Sequence, residues 1–385
     1  FFGIELVLRN QTASALTKVK PLVPYFLLSV LTVLVLPLIP FAASRVWNIF
    51  TGILILIVVF TITRRYGRAQ ILEYAFPMVV CGLCFLMLVA PSLVGAEAST
   101  QHVSGRVNYR TTGLGEGGGL LSSHFSVIVG IAIFLSLLSL IQGGFHWRKL
   151  LTLNGMFHSF TVALGFYLVV ILSGSRQGLF WWFFFALFCY AMYTKRQLFL
   201  GILFLIPLTL ISLTVGYIVL QDTLVVQRII AIFDPVAQTF NPEKSLEGRI
   251  EMIKIGLDLW KESPVWGNGN EAFRVNSGIN AYSHNNYVEL LANYGIMGAI
   301  FFYLPLVVAL IMSLKGFFRV RHPQLKNDYL WVLFCVVSVL VSNFFMPSYY
   351  MKHMLMFLGV ILGRLYYIRE MEFSGRPMQS VRRRI

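Results

Sequence analysis

Four short stretches of the chain carry residue types that do chemistry. Tyr282-Ser283-His284-Asn285-Asn286-Tyr287 sets one histidine among small polar residues, just ahead of an apolar run. An imidazole takes a proton near neutral pH, as a general base must, and the amides and Glu289 that follow are placed to fix its tautomer. A lone histidine is more often structural, so residue type alone weighs little here. Ser173-Gly174-Ser175-Arg176-Gln177-Gly178 leaves Arg176 between two apolar runs. A guanidinium keeps its charge and forks onto phosphate oxygens. Arg176 therefore reads as an anion clamp or, more plainly, as an arginine snorkelling at a membrane boundary. In the third stretch, Ser245 is placed to cap a helix running to about Glu262, with Leu246, Ile250, Ile253, Leu257 and Trp260 at helical spacing and Pro264, Gly267 and Gly269 closing it. Arg249 falls in its first turn, where the helix dipole favours an anion; pairing with Glu247 or Glu251 is the alternative. Last, Arg106-Val107-Asn108-Tyr109-Arg110-Thr111-Thr112-Gly113 reads as a mobile polar loop or as a basic lip for an anionic or sugar-bearing ligand.

The elements that must position these residues are set by composition. The 385 residues are 57% hydrophobic and 12% charged, with a mean hydropathy of +0.74; a soluble domain carries about 25% charged residues. Apolar runs of about 20 residues recur, each long enough to cross a bilayer core as a helix. This excludes an ordinary soluble enzyme, a disordered chain and a disulfide scaffold. Continuous runs also do not fit an outer-membrane barrel, whose strands alternate. The expectation is an all-α polytopic membrane protein with about ten transmembrane helices: 22–42, 46–62, 71–94, 121–141, 150–172, 178–193, 198–220, 295–314, 329–346 and 353–368. Residues 1–220 then form N-terminal helices with an outer loop at 95–120, 221–294 a large helical periplasmic loop, and 295–385 C-terminal helices with a basic tail. Cys81, Cys84, Cys189 and Cys335 all lie in apolar segments, where small packing residues are expected ahead of a redox or metal pair.

Charge gives the orientation. Lys and Arg number 19 on one set of alternate loops and 11 on the other, or 5 once the acidic loop 221–294 is left out. Cytoplasmic loops carry the excess, so the net charge of +15 needs no nucleic acid. Both termini of the chain then face the cytoplasm, and the loops at 95–120, 173–177 and 221–294 emerge together on the outer face. Phe1 is not an initiator methionine, and residues 1–8 read as the tail of a lost helix.

As an ordered set, these residues resemble the O-antigen ligase/polymerase superfamily of bacterial inner-membrane glycosyltransferases. The resemblance is carried by Gly248-Arg249, Trp260, Pro264, Gly267, Gly269 and Phe273, then Ser283-His284-Asn285 with Leu290, Gly295 and Gly298. The Ser175-Arg176 turn and the Arg110 to Gly113 stretch match in kind and order. Where family members often have an Asn-Pro-type turn, this chain has Gly117-Gly118-Gly119. The family usually has about twelve spans, and two lost N-terminal helices would preserve the orientation.

The resemblance implies a GT-C-like helical fold working at the periplasmic face without a metal or other cofactor. The donor would be a glycan on an undecaprenyl-diphosphate carrier, and the acceptor the lipid A core or another carrier-linked glycan, among membrane lipids. Carried over by position, Arg176 and Arg249 would hold the diphosphate, His284 would act as base, and Arg110 and Asn285 would contribute weaker substrate contacts. No DxD-like acidic pair stands on the outer face. The rival class is a transporter or flippase for lipid-linked glycans, which would place charged groups near the midplane of its spans.

Overall fold

The structure, a computed structural model, describes residues 20–34, 42–89, 98–103, 106–111, 122–141, 152–166, 181, 188, 242–278 and 282–374. It divides into two compact units, 1–69 with 249–385 and 70–248. The described residues are helical apart from one hairpin. Among the described residues three helices are long and apolar enough to cross a membrane, Ala43–Tyr66, Asn286–Arg319 and Pro323–Ser342, and Lys20–Leu34 and Val127–Leu140 are shorter apolar helices. The spans expected at 178–193 and 198–220 lie outside the described residues apart from Trp181 and Phe188.

In the first unit, α1 (Val23–Leu34), α2 (Ala42–Tyr66), α8 (Asn286–Arg319), α9 (Pro323–Ser342) and α10 (Lys352–Ser374) make the helical body. α2 and α10 pack in parallel because small residues let their backbones close. A Cβ added at Gly359 would stand 2.8 Å from the Leu56 carbonyl oxygen, and one at Gly363 would stand 2.8 Å from that of Phe60. Small residues at such contacts are the usual device of membrane helices, where close packing replaces the hydrophobic effect. Leu304, Val307, Val308 and Ile311 of α8 stay exposed at helical spacing. That is the face a lipid phase would cover.

One end of this unit is tied by charges. Arg364 pairs with Asp328 at 2.7 Å, both buried, and donates to the Gly67 carbonyl. Arg319 forks onto Glu372 at 2.9 and 2.7 Å, and Arg64 bonds Glu370 at 2.7 Å. The starts of α2 and α10 lie at the opposite end, beside the loop 343–351.

The second unit holds α3 (Gln70–Val89), α4 (Ser122–Ile141) and α5 (Leu153–Phe166). Gly130 makes room for Trp181: a Cβ there would lie 2.3 Å from the indole. Over Arg106–Thr111 the polar stretch is a strand and not a mobile loop: β1 (Ala98–Val103) and β2 (Arg106–Thr111) form an antiparallel hairpin, in register from Ala98 opposite Thr111 to Val103 opposite Arg106. The alternation of Val107 and Tyr109 with polar residues is a strand pattern.

Candidate functional site at the head of a broken helix

The site is built on α8. Its 34 residues form two arms on either side of a break, and the longer, 296–319, is by itself about 36 Å long, against roughly 30 Å for a hydrocarbon core. The helix starts at Asn286, ahead of the expected 295, and continues through a break at Gly295, where φ is 62° and ψ −162°. The break is stitched by the segment that follows α6 (Pro242–Glu262). Ile296 and Met297 N–H donate to the Pro264 and Val265 carbonyls at 2.9 and 3.2 Å, not to their own helix. The carbonyls they would have used, those of Ala292 and Asn293, accept from Asn268 and Gly269 N–H at 3.0 and 2.9 Å. Each backbone group lost at the kink is thus satisfied by the strap.

α6 differs from expectation at its start. It begins at Pro242, since proline suits the first helical position, so Ser245 lies inside it and Arg249 stands two turns in, beyond the reach of the terminal dipole. The face it buries is not the expected stripe: Leu259 joins Phe273 and Ala292 in a buried cluster flanked by Met252 and Ile255, whereas Ile250 is exposed and Ile253, Leu257 and Trp260 are only half-buried. Asn268 Nδ2 bridges the Leu259 and Ala292 carbonyls at 2.6 and 3.3 Å, while a Cβ on Gly256 would meet Val288 at 2.2 Å. The pairs 256–288 and 259–292 set α6 parallel to the head of α8. Arg249, half-buried, is seven residues before Gly256, hence on the same face and at the end where α8 begins.

The turn ahead of α8 presents His284. Asn285 caps the helix, its Oδ1 accepting from Tyr287 and Val288 N–H at 3.0 and 3.3 Å. Ser283 is fixed by Glu289, whose Oε2 accepts from the Ser283 N–H at 3.0 Å and the Ser283 hydroxyl at 3.1 Å. Between these two buried neighbours His284 is half-buried, in the left-handed region at φ 54°, with its ring 4.3 Å from that of Tyr282. Glu289 therefore holds the residue before the histidine. The next amide is structural: Asn286 Oδ1 accepts from Ser348 and Tyr349 N–H at 2.6 and 3.0 Å, its N–H donates to the Asn343 carbonyl at 2.8 Å, and its Nδ2 donates to Tyr303.

Behind the turn lies a buried charge cluster that the sequence reading passed over. Arg45, at the start of α2, pairs with Glu271, and its guanidinium carbon sits 3.4 Å from the centroid of the Tyr350 ring. Glu271 precedes α7 (Ala272–Asn276) with φ 62°. Around them, Asn270 bridges the Tyr294 hydroxyl and the Thr32 carbonyl, and Asn293 joins the Tyr349 hydroxyl at 3.0 Å. Burial pushes the Tyr349 and Tyr350 hydroxyls up, so both stay neutral. A signal for Arg45 was available: it is the one basic residue between the first two apolar runs, on the face where no arginine is needed for topology.

Of the residues singled out by sequence, the structure brings His284 and Asn285 into one turn and sets Arg249 at the same end of the fold. Arg110 lies on β2, opposite Ser99, and Arg176 lies outside the described residues. Among the described residues, no three His, Cys, Asp or Glu side chains gather as a metal would require.

Comparison with known proteins finds no curated protein that matches the chain. The strap, α7 and the His284 turn all fall inside the stretch matched by one family model. That model is described as O-Antigen ligase and matches residues 160–303, which supports the resemblance to the O-antigen ligase/polymerase superfamily.

Proposed function

We propose that the protein is a glycosyltransferase of the ligase or polymerase type in surface-polysaccharide synthesis. It moves a glycan from an undecaprenyl-diphosphate carrier to an acceptor sugar hydroxyl at the periplasmic face of the bacterial inner membrane, with both termini of the chain cytoplasmic. The observation that carries this reading is the placement of His284. It is held in a strained turn at the head of a broken helix, within the matched segment, at the same end as Arg249.

In the reaction, the acceptor oxygen attacks the anomeric carbon as its proton passes to the His284 imidazole. The bond from that carbon to the diphosphate oxygen breaks, and the diphosphate leaves with the electron pair. Arg249 and Arg176 hold the departing negative charge, since fixed cations act most strongly where water is excluded. Attack from the far side inverts the anomeric centre. Arg110 and Asn285 add contacts to the substrates, and no metal takes part.

The test supplies purified protein with carrier-linked repeat units, with and without lipid A core. Chain lengthening without the core identifies a polymerase, and transfer only to the core identifies a ligase. EDTA leaves either activity unchanged. Translocation of the lipid-linked glycan that survives loss of His284, with no transfer to any acceptor, would overturn the reading in favour of a flippase.

A further inference from the structure

A cavity of about 180 Å³ lies among α1, α8 and α10 in the first unit. Its wall is apolar apart from Lys20 and Tyr366. Two features of α8 keep the space open. Pro305, inside the helix, has no N–H and a ring that holds off the preceding turn, and Ala309 lines the space with only a methyl group. Leu304 and Val308, which also line it, are 45% and 39% exposed. The cavity therefore borders the face of α8 that a lipid phase would cover, and an apolar chain can enter it from the side.

The cavity stands toward the end of the unit opposite the His284 turn. The last turns of α1 are fixed by Asn270, which donates to the Thr32 carbonyl at 2.7 Å, so Lys20, in the 3-10 turn ahead of α1, lies at the other end. Met312, also on the wall, comes 16 residues after Ile296, about 24 Å along α8. There Arg369 Nη1 donates to the Met312 sulfur at 3.6 Å, and its guanidinium carbon is 5.7 Å from the Phe373 ring centroid. The neighbouring carboxylates are taken, Glu370 by Arg64 and Glu372 by Arg319. Among the described residues, neither Lys20 nor Arg369 pairs with a carboxylate. The adjoining sequence adds positive charge: residues 375–385 hold four arginines and no acid, and residues 1–19 hold Arg9 and Lys18 against Glu5. An anion that answers Lys20 and Arg369 therefore comes from outside the chain, and neither terminal segment has the charge to be the occupant.

We propose that the cavity and these two cations form a binding site for an anionic glycerophospholipid, with one acyl chain in the cavity and the phosphate between Lys20 and Arg369. Basic pockets among membrane helices take anionic headgroups in this way. The volume is below the roughly 300–1,000 Å³ of a pocket that encloses a whole small molecule, so the cavity takes part of one chain and leaves the rest in the bilayer. Lysine and arginine stems lie along apolar surface while their charges reach the headgroup level, and the half-buried Tyr366 is a residue type that favours that level. An anion held here is far along α8 from the His284 turn, so it is a bound lipid and not the reacting diphosphate. In the orientation proposed above it comes from the cytoplasmic leaflet. The site itself depends neither on that orientation nor on glycosyl transfer.

The experiment titrates the purified full chain, in neutral detergent, with phosphatidylglycerol, with phosphatidylcholine of the same acyl chains, and with glycerol phosphate, which has the anion and no chain. Native mass spectrometry reads the lipid retained, and thermal melts read the stabilisation that binding brings. Phosphatidylglycerol should be retained and should raise Tm, phosphatidylcholine should bind at least about tenfold more weakly, and glycerol phosphate should leave Tm unchanged. The double variant Lys20→Gln/Arg369→Gln should lose about tenfold or more in affinity for phosphatidylglycerol while its lipid-free Tm stays close to that of wild type. Lys20→Arg/Arg369→Lys, which keeps both charges, should retain most of the binding. Ala309→Leu, which narrows the cavity, should weaken both lipids together. The charge variants change half-buried or exposed side chains, so they decide the question even if Ala309→Leu does not fold. Equal retention of the two lipids by wild type, or wild-type affinity for phosphatidylglycerol in Lys20→Gln/Arg369→Gln, would overturn the proposal. So would stabilisation by glycerol phosphate equal to that by the lipid, which leaves the cavity no part, or a full chain that retains no lipid, which means that its own residues fill the space.

Discussion

Gly267 and Gly295 each press against the backbone beside the other. A Cβ at Gly267 would lie 2.3 Å from the Tyr294 nitrogen, and a Cβ at Gly295 would lie 2.4 Å from the Val265 carbonyl carbon. Both have positive φ, 74° and 62°. The strap from α6 and the break in α8 are therefore one seam, in which four hydrogen bonds are exchanged between two backbones.

Alanine at either glycine should lower stability well beyond the roughly 1 kcal/mol that a left-handed alanine alone costs, because the added carbon meets backbone and cannot be accommodated by a rotamer change. Combining the two should cost less than their sum, since the second substitution strikes a seam already opened. Thermal unfolding of the purified variants measures both effects. A Gly295→Ala protein as stable as wild type would show that the seam is not closed in solution.

His284 should be tested with asparagine before alanine. Asparagine tolerates the left-handed region but cannot act as a base, so His284→Asn removes the chemistry and keeps the turn. Glycan transfer should fall by roughly 100-fold to 10,000-fold, the range for losing a general base, with thermal stability unchanged. Alanine confounds the two effects by adding strain at φ 54°. Near-wild-type transfer by His284→Asn would remove the base from the mechanism.

Much of this arrangement was legible in the sequence, and the failures have physical causes. Apolar runs located α2, α8 and α9, the three described helices long and apolar enough to cross a membrane. The spacing of Pro264, Gly267, Gly269 and Gly295 marked the seam but not its nature. Gly295 read as the start of a helix, because sequence cannot show that a strap 24 to 32 residues distant, from Pro264 to Gly269, would supply the hydrogen bonds that let α8 run through it. Arg249 was credited with a helix dipole that Pro242 moves two turns away. Arg45 was passed over for a different reason. What Arg45 faces comes from Glu271, 226 residues on, and no local pattern encodes that pairing.

The two adjacent asparagines should separate cleanly. Asn285→Ala removes a helix cap, worth about 1 kcal/mol, and loosens the His284 turn. Asn286→Ala strands the N–H groups of Ser348 and Tyr349 in a buried site, where each lost partner costs about 1–3 kcal/mol. Asn286→Ala should therefore be the less stable of the pair in thermal melts. Asn285→Ala should lose proportionally more turnover than stability. The reverse order would mean that Asn285, not Asn286, anchors the loop 343–351.

The arginines should be read by lysine substitution, which keeps the charge and removes the fork. A guanidinium offers five donors in a plane that matches two phosphate oxygens, whereas an ammonium is a hydrated point charge. Arg249→Lys should raise KM for the carrier-linked donor and lower kcat, since the departing diphosphate carries more charge than the bound one. Arg176→Lys should do the same if both hold one diphosphate, and the double variant should then fall short of the product of the two singles. Arg249 sits on the face of α6 that carries Gly256 against Val288, one turn along α8 from the His284 turn, so its loss should be felt at the reacting centre. An Arg249→Lys protein with unchanged kcat and donor KM would move the diphosphate away from this end of α8 and leave His284 without a leaving-group partner.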